Sequence, residues 1–321
     1  MFRKLRGTYA VQAGDQIVAC TLSSKLHKQL ETWWENSHAP GLHRRVKAVH
    51  KITETDPVAV GDRVQFVPAP DGSGVIVQVL PRRNTFSRSA AGHGNLEQII
   101  VANVDQVIPV FAIRQPNPKW RQLDRYLAVA EASEIPALVC ITKTDLAQEQ
   151  DRLSQIVSIY EGIGYRVIPT STVTGEGVRN LAQALHGRIS AVVGKSGVGK
   201  TSLLNCIQPG LGLPTRAVSR ATGKGKHTTS HLEIYKLDGG GGVIDTPGTR
   251  EFDLWHHPED GGLAHLYVEM QPYIGKCRFG LDCLHRQEPG CAVREAVAAG
   301  EITQMRYDSY LHTLRHMPGM R

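Results

Sequence analysis

The sequence predicts three parts: an all-β N-terminal barrel at residues 1–85, an α/β domain at 86–254 and a mainly helical region at 255–321. In the first part, short runs rich in β-branched residues are separated by Gly, Asp and Pro turns, as is typical of strands. In the second part, apolar strand runs alternate with amphipathic helix candidates. This alternation indicates a mainly parallel sheet covered by helices on both faces.

The N-terminal part contains five strand candidates, and five strands in this length favour a small barrel with an OB-fold. An SH3-like barrel or a sandwich fits the same pattern. The stretch 26–42 interrupts the pattern, and we interpret it as a long loop or a short helix. The five candidates are RGTYAVQ, QIVACTLS, RRVKAVH, GDRVQFVPA and GVIVQVLP.

The central part follows a basic stretch at 82–93 that we interpret as a linker. GGGG at 239–242 predicts a hairpin turn, and AVREAVAAG and ITQMRYDSYLHTLRHM predict helices beyond Trp255. The central strand candidates are QIIVANVDQVIPVFAI, PALVCIT, YRVIPTST, RISAVVG and GGVIDTPG. The central helix candidates are PKWRQLDRYLAVAEASEI, DRLSQIVSIYEGIG, GVRNLAQALHG and TSLLNCI.

The composition, with 41% hydrophobic and 21% charged residues, is that of a soluble globular protein. We expect a cytoplasmic location, since the sequence shows neither an apolar run long enough to cross a bilayer nor a secretory signal. No coiled-coil pattern demands a dimer, so we expect a monomer. The formal net charge is +7, and the stretches 43–51, 82–93 and 216–231 contain no acid. Solvated loops explain any one of them, whereas three together favour a polyanionic partner.

A phosphate-binding loop is the strongest motif in the chain. The run GKSGVGKT matches G-x-x-x-x-G-K-[ST], follows an apolar strand and precedes a helix. Glycines let backbone N–H groups curl around phosphate oxygens, and the helix N-terminus favours negative charge. We expect Lys200 to reach the β- and γ-phosphates and to act in catalysis. The predicted phosphate-contacting residues are Gly194, Lys195, Ser196, Gly197, Val198, Gly199, Lys200, Thr201 and Ser202.

A second motif, DTPG, ends the apolar strand GGVIDTPG. A carboxylate at such a strand end can hold Mg²⁺, so we expect Asp245 and the Thr201 hydroxyl to bind this ion. The amide of Gly248 is predicted to contact the γ-phosphate. Many turns match D-x-x-G by chance. We interpret this one as a nucleotide-binding motif because it lies downstream of a phosphate loop.

A third motif, TKTD, follows the strand PALVCIT and is predicted to read a guanine base. The carboxylate of Asp145 can accept hydrogen bonds from guanine N1–H and the exocyclic amine, whereas adenine would leave it unpaired. We expect the stem of Lys143 to pack along the base. Thr142 stands where Asn is usual, which predicts one weaker polar contact to the base. Ser171 lies at the next strand end, where a backbone amide could meet guanine O6. A TD turn without function is the alternative.

The order of the motifs is rotated, because the base-reading loop precedes the phosphate loop along the chain. A doubly wound sheet tolerates such a rotation, since chain ends commonly lie close together. Between the phosphate loop and DTPG lies GKGKHTTSH, where Thr228 or Thr229 could bind Mg²⁺ in the triphosphate state. His227 is the candidate for orienting the attacking water, because Thr249 follows DTPG. An RNA-facing or merely exposed histidine is the alternative for His227.

A C-terminal cluster of three cysteines and one histidine is the Cys₃His set of a closed structural zinc site, formed by Cys277, Cys283, His285 and Cys291. In a cytoplasmic chain this pattern favours metal over disulfides. The alternative is core cysteines with a bystander histidine. We expect zinc to fasten this loop where little apolar surface is available. We predict Cys20, Cys140 and Cys206 to be small buried thiols.

In these motifs the chain resembles the circularly permuted, ribosome small-subunit-dependent GTPases, the RsgA (also YjeQ or EngC) family. The resemblance rests on TKTD before GKSGVGKT, on KHTT, on DTPGTREF, on the Cys-Cys-His-Cys cluster and on PGCAVREAV. It implies an N-terminal OB-fold, a permuted GTPase domain and a C-terminal zinc domain. It also implies late maturation of the small (30S) ribosomal subunit with subunit-stimulated GTP hydrolysis, and it links His227 to that hydrolysis.

Three classes of function follow. The first is a GTP hydrolase that assembles the small ribosomal subunit, binds rRNA, and uses Mg²⁺ with GTP and one structural zinc. The second is an RNA-binding OB-fold module with a regulatory nucleotide site. The third is an ATP-using P-loop enzyme, against which Asp145 argues.

Overall fold

The computed structural model describes residues 1–5, 7–26, 57–90, 93–148, 150–211, 213, 232–246 and 262–316. Among these residues, no helix is both long and apolar enough to span a bilayer. The first strands are β1 (Arg3–Leu5), β2 (Thr8–Ala13), β3 (Gln16–Leu22), β4 (Val64–Pro68), β5 (Gly74–Val79), β6 (Thr85–Ala90) and β7 (His93–Ala102).

The central region then alternates strands and helices as its sequence pattern predicts. Its strands are β8 (Gln106–Ala112), β9 (Leu138–Thr142), β10 (Arg166–Pro169), β11 (Ile189–Val193), β12 (Leu232–Lys236) and β13 (Gly242–Asp245). Its helices are α1 (Trp120–Ala132), α2 (Gln150–Gly162), α3 (Val178–Leu185) and α4 (Lys200–Ile207). The predicted C-terminal helices are α5 (Ala292–Ala298) and α6 (Gln304–His316), preceded by short 3₁₀ turns.

Four of the five predicted N-terminal strands form, as β2, β3, β4 and β5. Together with β1, which was not predicted, they have the order β1-β2-β3-β5-β4, with β3 and β5 parallel and the other pairs antiparallel. One face of this sheet carries a small core that includes Tyr9, Cys20 and Ile76. The fifth candidate, RRVKAVH, and most of the stretch 26–42 lie outside the described residues. Closure into an OB-fold barrel therefore stays a prediction.

The interpretation of 82–93 as a linker is wrong, because the strand β6 runs through it and pairs with β7. Two of its cations form ion pairs with acids that are distant in sequence. Arg82 Nε lies 2.8 Å from Asp62 Oδ1, and an Arg83 nitrogen lies 2.7 Å from Asp105 Oδ1. These two guanidinium groups therefore hold the fold together, and the charge of this stretch carries less weight as a sign of a polyanionic partner.

The apolar run QIIVANVDQVIPVFAI also differs from its prediction as one strand, since it divides between β7 and β8. Asn103 adopts a left-handed φ of 55° at the break. Its side-chain oxygen accepts from Arg83 N at 2.7 Å, and its amide nitrogen donates to Gly61 O at 3.1 Å. Asn tolerates this conformation better than most residues, so the chain turns here.

The central sheet has the order β10-β9-β8-β11-β13-β12, in which the first five strands are parallel and β12 is antiparallel to β13. Helices α1 and α2 pack with one core cluster and α3 and α4 with another, as expected for a doubly wound sheet. The strands of the earlier chain half, β8 to β10, form one flank, and β11 to β13 form the other. The predicted hairpin turn joins β12 to β13.

Parallel register brings five strand ends to one edge of this sheet. Ala112 pairs with Thr142, Ile141 with Pro169, and Val192 with both Ile108 and Asp245. The loops that follow these strands include TKTD, TSTVTGEG, the phosphate loop and the start of DTPG. Ligands of open α/β sheets bind at such an edge, so the fold collects the predicted motifs there.

The N-terminal sheet continues into the central sheet, an arrangement that the sequence did not reveal. Strand β1 pairs antiparallel with β12, with Arg3 opposite Glu233 and Ile234 N donating to Phe2 O at 3.0 Å. The result is one sheet of eleven described strands.

The C-terminal region shares a core with helices α1 and α2 of the central region. This core joins Leu123, Tyr126 and Tyr160 to Tyr267 and Tyr310. The expectation of little apolar surface around the zinc loop is therefore wrong. The prediction of a buried Cys206 is wrong as well, because this thiol is exposed on α4, while Cys20 and Cys140 are buried as predicted.

A buried ion network lies at the junction between these two regions. Arg306 on α6 is 1% exposed, and it donates from Nη1 to Asp124 Oδ1 at 2.6 Å. It also donates twice to Glu269, from Nε at 2.6 Å and from Nη2 at 3.0 Å. Its guanidinium carbon lies 4.7 Å from the ring centre of Tyr267. The two carboxylates raise the pKa of Arg306 above its usual value, against the effect of burial.

We expect Arg306→Met to lower the free energy of unfolding by about 3–5 kcal/mol, because Asp124 and Glu269 would keep buried charges without their cation. Urea unfolding of both proteins measures this loss. The matched control is Arg315→Met on the exposed last turn of the same helix, with an expected change within about 0.5 kcal/mol. Equal stability of the two variants would contradict a structural role for the network.

Candidate nucleotide site and metal centre

The phosphate loop lies between β11 and α4, and three of its glycines adopt conformations that favour glycine. Gly194, Gly197 and Gly199 have φ values of 152°, 84° and 100°. A Cβ on Gly194 would lie 2.4 Å from Val110 O, so the close approach of β8 excludes any side chain there. These residues form the tight loop that the motif predicts, with Val198 buried and Ser196 exposed.

Lys200 begins α4, and its side chain folds back over the loop that precedes it. Its ammonium donates to Gly194 O at 2.8 Å and to Lys195 O at 3.2 Å, and the residue is 7% exposed. Burial lowers the pKa of Lys200, while the nearby Asp245 carboxylate opposes this shift. The loop carbonyls thus hold the cation where the phosphates would lie.

Asp245 ends β13 next to the first turn of α4. Thr201 Oγ1 lies 3.5 Å from Asp245 Oδ2, and Asp245 Oδ1 is buried with no hydrogen-bond partner among the described residues. Burial raises the pKa of Asp245, and Lys200 and Thr201 oppose the shift. A buried carboxylate oxygen without a partner beside a hydroxyl is an arrangement suited to a bound cation. Ser202 follows on the exposed side of α4.

The TKTD loop is tied directly to the phosphate loop. The Thr142 hydroxyl donates to Val198 O, and Lys143 Nζ donates to Gly197 O at 2.8 Å and to Gln115 O. The structure thus places the Thr142 hydroxyl on the phosphate loop, and the weaker polar contact of Thr142 to the base stays a prediction. Burial lowers the pKa of Lys143, whose charge Asp145 stabilises.

Asp145 is held by the neighbouring strand end, as the spacing of the two loops predicts. Ser171 Oγ donates to Asp145 Oδ1 at 2.5 Å, and it accepts from the amides of Val173 and Thr174 at 3.2 Å each. Ser171 is fully buried, so its hydroxyl has a fixed orientation. Asp145 itself is exposed at the sheet edge.

Two features of this loop were missed in the sequence. The backbone amide of Ser171 donates to Glu176 O at 3.0 Å. The Glu176 carboxylate accepts from the Thr144 hydroxyl at 2.9 Å, which joins the two loops a second time. Neither contact has a sequence signal, because both depend on how the loops fold back.

The remaining predicted nucleotide and catalytic residues are His227, Thr228, Thr229, Gly248 and Thr249, and they lie outside the described residues. Their roles stay predictions.

The predicted metal ligands come together in a buried cluster. Cys277, Cys283, His285 and Cys291 place their ligand atoms within 4.8 Å of one another. His285 Nδ1 lies 3.4 Å from the sulfurs of Cys277 and of Cys291, and these two sulfurs are 3.9 Å apart. Tyr307 OH donates to His285 O at 2.7 Å, and Tyr310 OH donates to Leu284 O at 2.8 Å, which fixes the loop on α6.

These separations fit a tetrahedral zinc site. Zinc–sulfur bonds of about 2.3 Å at tetrahedral angles place two sulfurs about 3.8 Å apart. Four protein ligands leave no open position, which is the pattern of a structural rather than a catalytic ion. The cluster is therefore compatible with zinc.

Comparison with known proteins agrees with this geometry. Residues 79–255 match the family model of the RsgA GTPase. A Chromohalobacter salexigens protein named small ribosomal subunit biogenesis GTPase RsgA is 41% identical over 89% of this chain and 82% of its own length. A protein of the same name from Moorella thermoacetica is 44% identical over 78% of this chain and 82% of its own length.

Two solved structures resemble the fold. YjeQ from Thermotoga maritima has a TM-score of 0.69 and 33% identity, and the match covers 98% of this chain and 95% of that chain. YloQ, described as a circularly permuted GTPase, has a TM-score of 0.65 and 27% identity, covering 99% of this chain and 94% of that chain.

The strand order and the joined base and phosphate loops define a P-loop GTPase whose halves are circularly permuted. Within that class, this chain belongs to the RsgA GTPase family. The rotation predicted from the order of TKTD and GKSGVGKT is thereby confirmed.

We expect Thr142→Val to weaken GDP binding about tenfold, because Val198 O would lose a buried hydrogen bond that fixes the two loops. Thr142→Ser retains the hydroxyl and should bind GDP as the unsubstituted protein does. Equilibrium titration with a fluorescent GDP analogue measures both constants. Unchanged affinity of the valine variant would show that the tie has no role in nucleotide binding.

We expect Cys283→Ser to lose bound zinc and to unfold at a lower temperature, since three ligands hold zinc less tightly than four. Elemental analysis after gel filtration gives the zinc content. Cys206→Ser is the matched control, because this exposed thiol on α4 is not part of the cluster. Equal zinc content in both variants would exclude the cluster as the site.

Proposed function

We propose that this protein hydrolyses GTP as a late assembly factor of the small ribosomal subunit, whose rRNA it binds and which stimulates its turnover. The observation that carries the proposal is the direct tie between the base-reading and phosphate loops, through Thr142 and Lys143. This tie assembles both ends of one guanosine nucleotide site. The names of the relatives supply the link to biogenesis of the small subunit.

In this proposal the phosphates bind in the loop Gly194–Thr201, and Lys200 moves from the carbonyls of Gly194 and Lys195 onto the β- and γ-phosphates. Ser202 contacts the phosphates from the start of α4. The γ-phosphate side also involves Thr229 and Gly248, which lie outside the described residues. The ammonium and the loop amides stabilise the charge that develops on the phosphoryl oxygens.

Asp145 reads guanine through N1–H and the exocyclic amine, while the Thr172 amide meets O6 and the stem of Lys143 covers the base. Ser171 positions Asp145 through its buried hydroxyl. Adenine lacks the exocyclic amine and presents an acceptor at N1, which leaves the carboxylate unpaired.

Thr201 and Asp245 are suited to bind Mg²⁺, because the Thr201 hydroxyl and the buried Asp245 carboxylate face each other beside the phosphate loop. Bound Mg²⁺ neutralises charge on the β- and γ-phosphates. His227 orients the attacking water, since Thr249 is too short to do so in place of a glutamine. One structural zinc held by the cysteine and histidine cluster stabilises the C-terminal region.

The N-terminal sheet closes into an OB-fold barrel that contacts rRNA, within domains at 1–85, 86–254 and 255–321. One buried face and the parallel pairing of β3 with β5 in an otherwise antiparallel sheet support the barrel. The net charge of +7 supports a polyanionic partner. We expect the protein to act as a monomer in the cytoplasm.

The deciding experiment measures phosphate release from GTP and from ATP, each with and without purified small ribosomal subunits. We expect turnover of GTP alone, raised about tenfold or more by the subunits, as activating partners of GTPases do. Lys200→Ala should remove turnover under all conditions. GTP turnover that stays constant when subunits are added would rule out the assembly-factor role.

A second experiment tests base recognition with Asp145→Asn. The asparagine amide can donate to the xanthine oxygen that replaces the guanine amine, so we expect GTP affinity to fall at least about hundredfold and XTP affinity to rise. Competition of GTP and XTP against labelled GDP measures the exchange. An unchanged preference for GTP would place guanine recognition elsewhere.

A further inference from the structure

A cavity of about 500 Å³ lies beside the TKTD loop, on the α1 and α2 side. Its walls are the loop that follows β8, the first residue of α1, the loop that follows β9 and the middle of α2. Neither the phosphate loop nor Asp145 contributes to its lining, so it is separate from the proposed GTP site. A volume of this size suits a ligand of one nucleotide.

Several of the side chains that line the cavity carry groups that can stack on a base, bind its edges or bind phosphate. Among the residues that the structure describes, the lining includes one indole, Trp120, one guanidinium, Arg114, and three carboxamides, and no carboxylate. The indole is held by stacking on Phe111, with ring centres 6.3 Å apart and an interplanar angle of 28°. The three carboxamides belong to Asn117, Gln148 and Gln155.

These groups match an unpaired nucleotide. An indole offers a stacking face to any base, carboxamides can both donate to and accept from the edges of a base, and a guanidinium binds phosphate. None of the described lining residues carries a negative charge that would repel the phosphate. Proteins that read RNA take hold of bases in this way where they are unpaired.

One residue that lines the cavity is hydrogen-bonded to the TKTD loop of the proposed GTP site. Ile113, which lines it, donates its backbone N–H to Thr142 O at 2.9 Å. In the same loop, Gln115 O accepts from Lys143 Nζ. A ligand in the cavity would therefore contact the segment that positions the base-reading lysine.

A second cavity, of about 440 Å³, provides a contrast at the opposite edge of the sheet. It is lined by Arg166, His186 and Arg188, together with Gln183 on α3, and it contains no aromatic ring other than the imidazole. Like the cavity beside the TKTD loop, this second cavity is lined by positively charged side chains and carboxamides, but its described lining has no indole. It serves as a matched control.

We propose that the cavity beside the TKTD loop binds an unpaired nucleotide of the small-subunit RNA, stacked on Trp120 with its phosphate at Arg114. This inference rests on the proposed function, because it names the part of the partner that one surface recognises.

The first test uses two isosteric substitutions, each on an exposed helical residue. Gln155→Glu places a carboxylate at the nucleotide cavity, and Gln183→Glu places one at the control cavity. We expect Gln155→Glu to weaken binding to small subunits about tenfold and Gln183→Glu to change it less than about twofold. GTP turnover without subunits should be equal in the two variants.

The second test uses the stacking ring and the cation. Trp120→Leu should weaken subunit binding at least about fivefold, while Trp120→Phe should retain most of the affinity. Arg114→Ala should lower the salt dependence of binding by about one ion, and Arg166→Ala should leave it unchanged. Thermal unfolding of each variant controls for folding.

A third measurement locates the contact directly. Ultraviolet irradiation of the protein bound to small subunits should link a nucleotide to residues 113–120, as found by proteolysis and mass spectrometry. A mixture of the four free nucleoside monophosphates tests the other source of the same chemistry. Binding of free nucleotides that depends on Trp120, with subunit affinity unchanged in every variant, would overturn the assignment to RNA.

The outcomes separate this inference from the proposed function. Failure of the unsubstituted protein to bind or to respond to small subunits would overturn the proposed function. Normal subunit binding by Gln155→Glu, Trp120→Leu and Arg114→Ala, with no linked nucleotide in 113–120, would overturn the cavity assignment alone.

Discussion

The GTP site depends on hydrogen bonds that cross from the end of β9 to the phosphate loop after β11. Thr142 and Lys143 donate to the carbonyls of Val198 and Gly197, over the end of the intervening strand β8. In the proposed function, these bonds set the distance between the loop that reads the base and the loop that holds the phosphates. They join the two halves of the permuted chain. The ammonium of Lys143 therefore has a structural role in addition to its proposed contact with the base.

Both flanking regions are fixed to this central sheet by contacts of different kinds. The N-terminal sheet is joined to it by the backbone pairing of β1 with β12, a strand that lies between the phosphate loop and DTPG along the chain. The C-terminal region is joined by a shared apolar core and by Arg306, whose ion pairs with Asp124 and Glu269 are fully buried. A buried cation of this kind tolerates little displacement, since separation would leave three charges without partners. The loop with the cysteine and histidine cluster is hydrogen-bonded to α6, which is itself anchored to α1 through Arg306.

Where the sequence interpretation failed, the missing information was spatial. The stretch 82–93 resembled a linker because its cations have no acids nearby in sequence, yet Asp62 and Asp105 lie beside Arg82 and Arg83 in the fold. Cys206 has apolar neighbours in sequence, but its position on α4 faces outward. The hydrogen bond from the Thr142 hydroxyl to a carbonyl 56 residues later likewise had no signal in the sequence. In each case the deciding partner is distant along the chain.

The sequence by itself determined the alternation of strands and helices, the phosphate loop, the rotated order of motifs and the four members of the metal cluster. These features depend on local conformation, on glycine at fixed positions and on the register of parallel strands. Short stretches of sequence are enough to predict each of them. Only the tertiary structure decided that β1 extends the central sheet and that Arg306 joins two regions. It also decided that Ser171 contacts Asp145 through its hydroxyl, while its amide donates to Glu176 O. Those outcomes depend on which groups come into contact across loops and helices. Burial makes each contact specific, because an unpaired polar group inside the fold lowers the stability of the folded state.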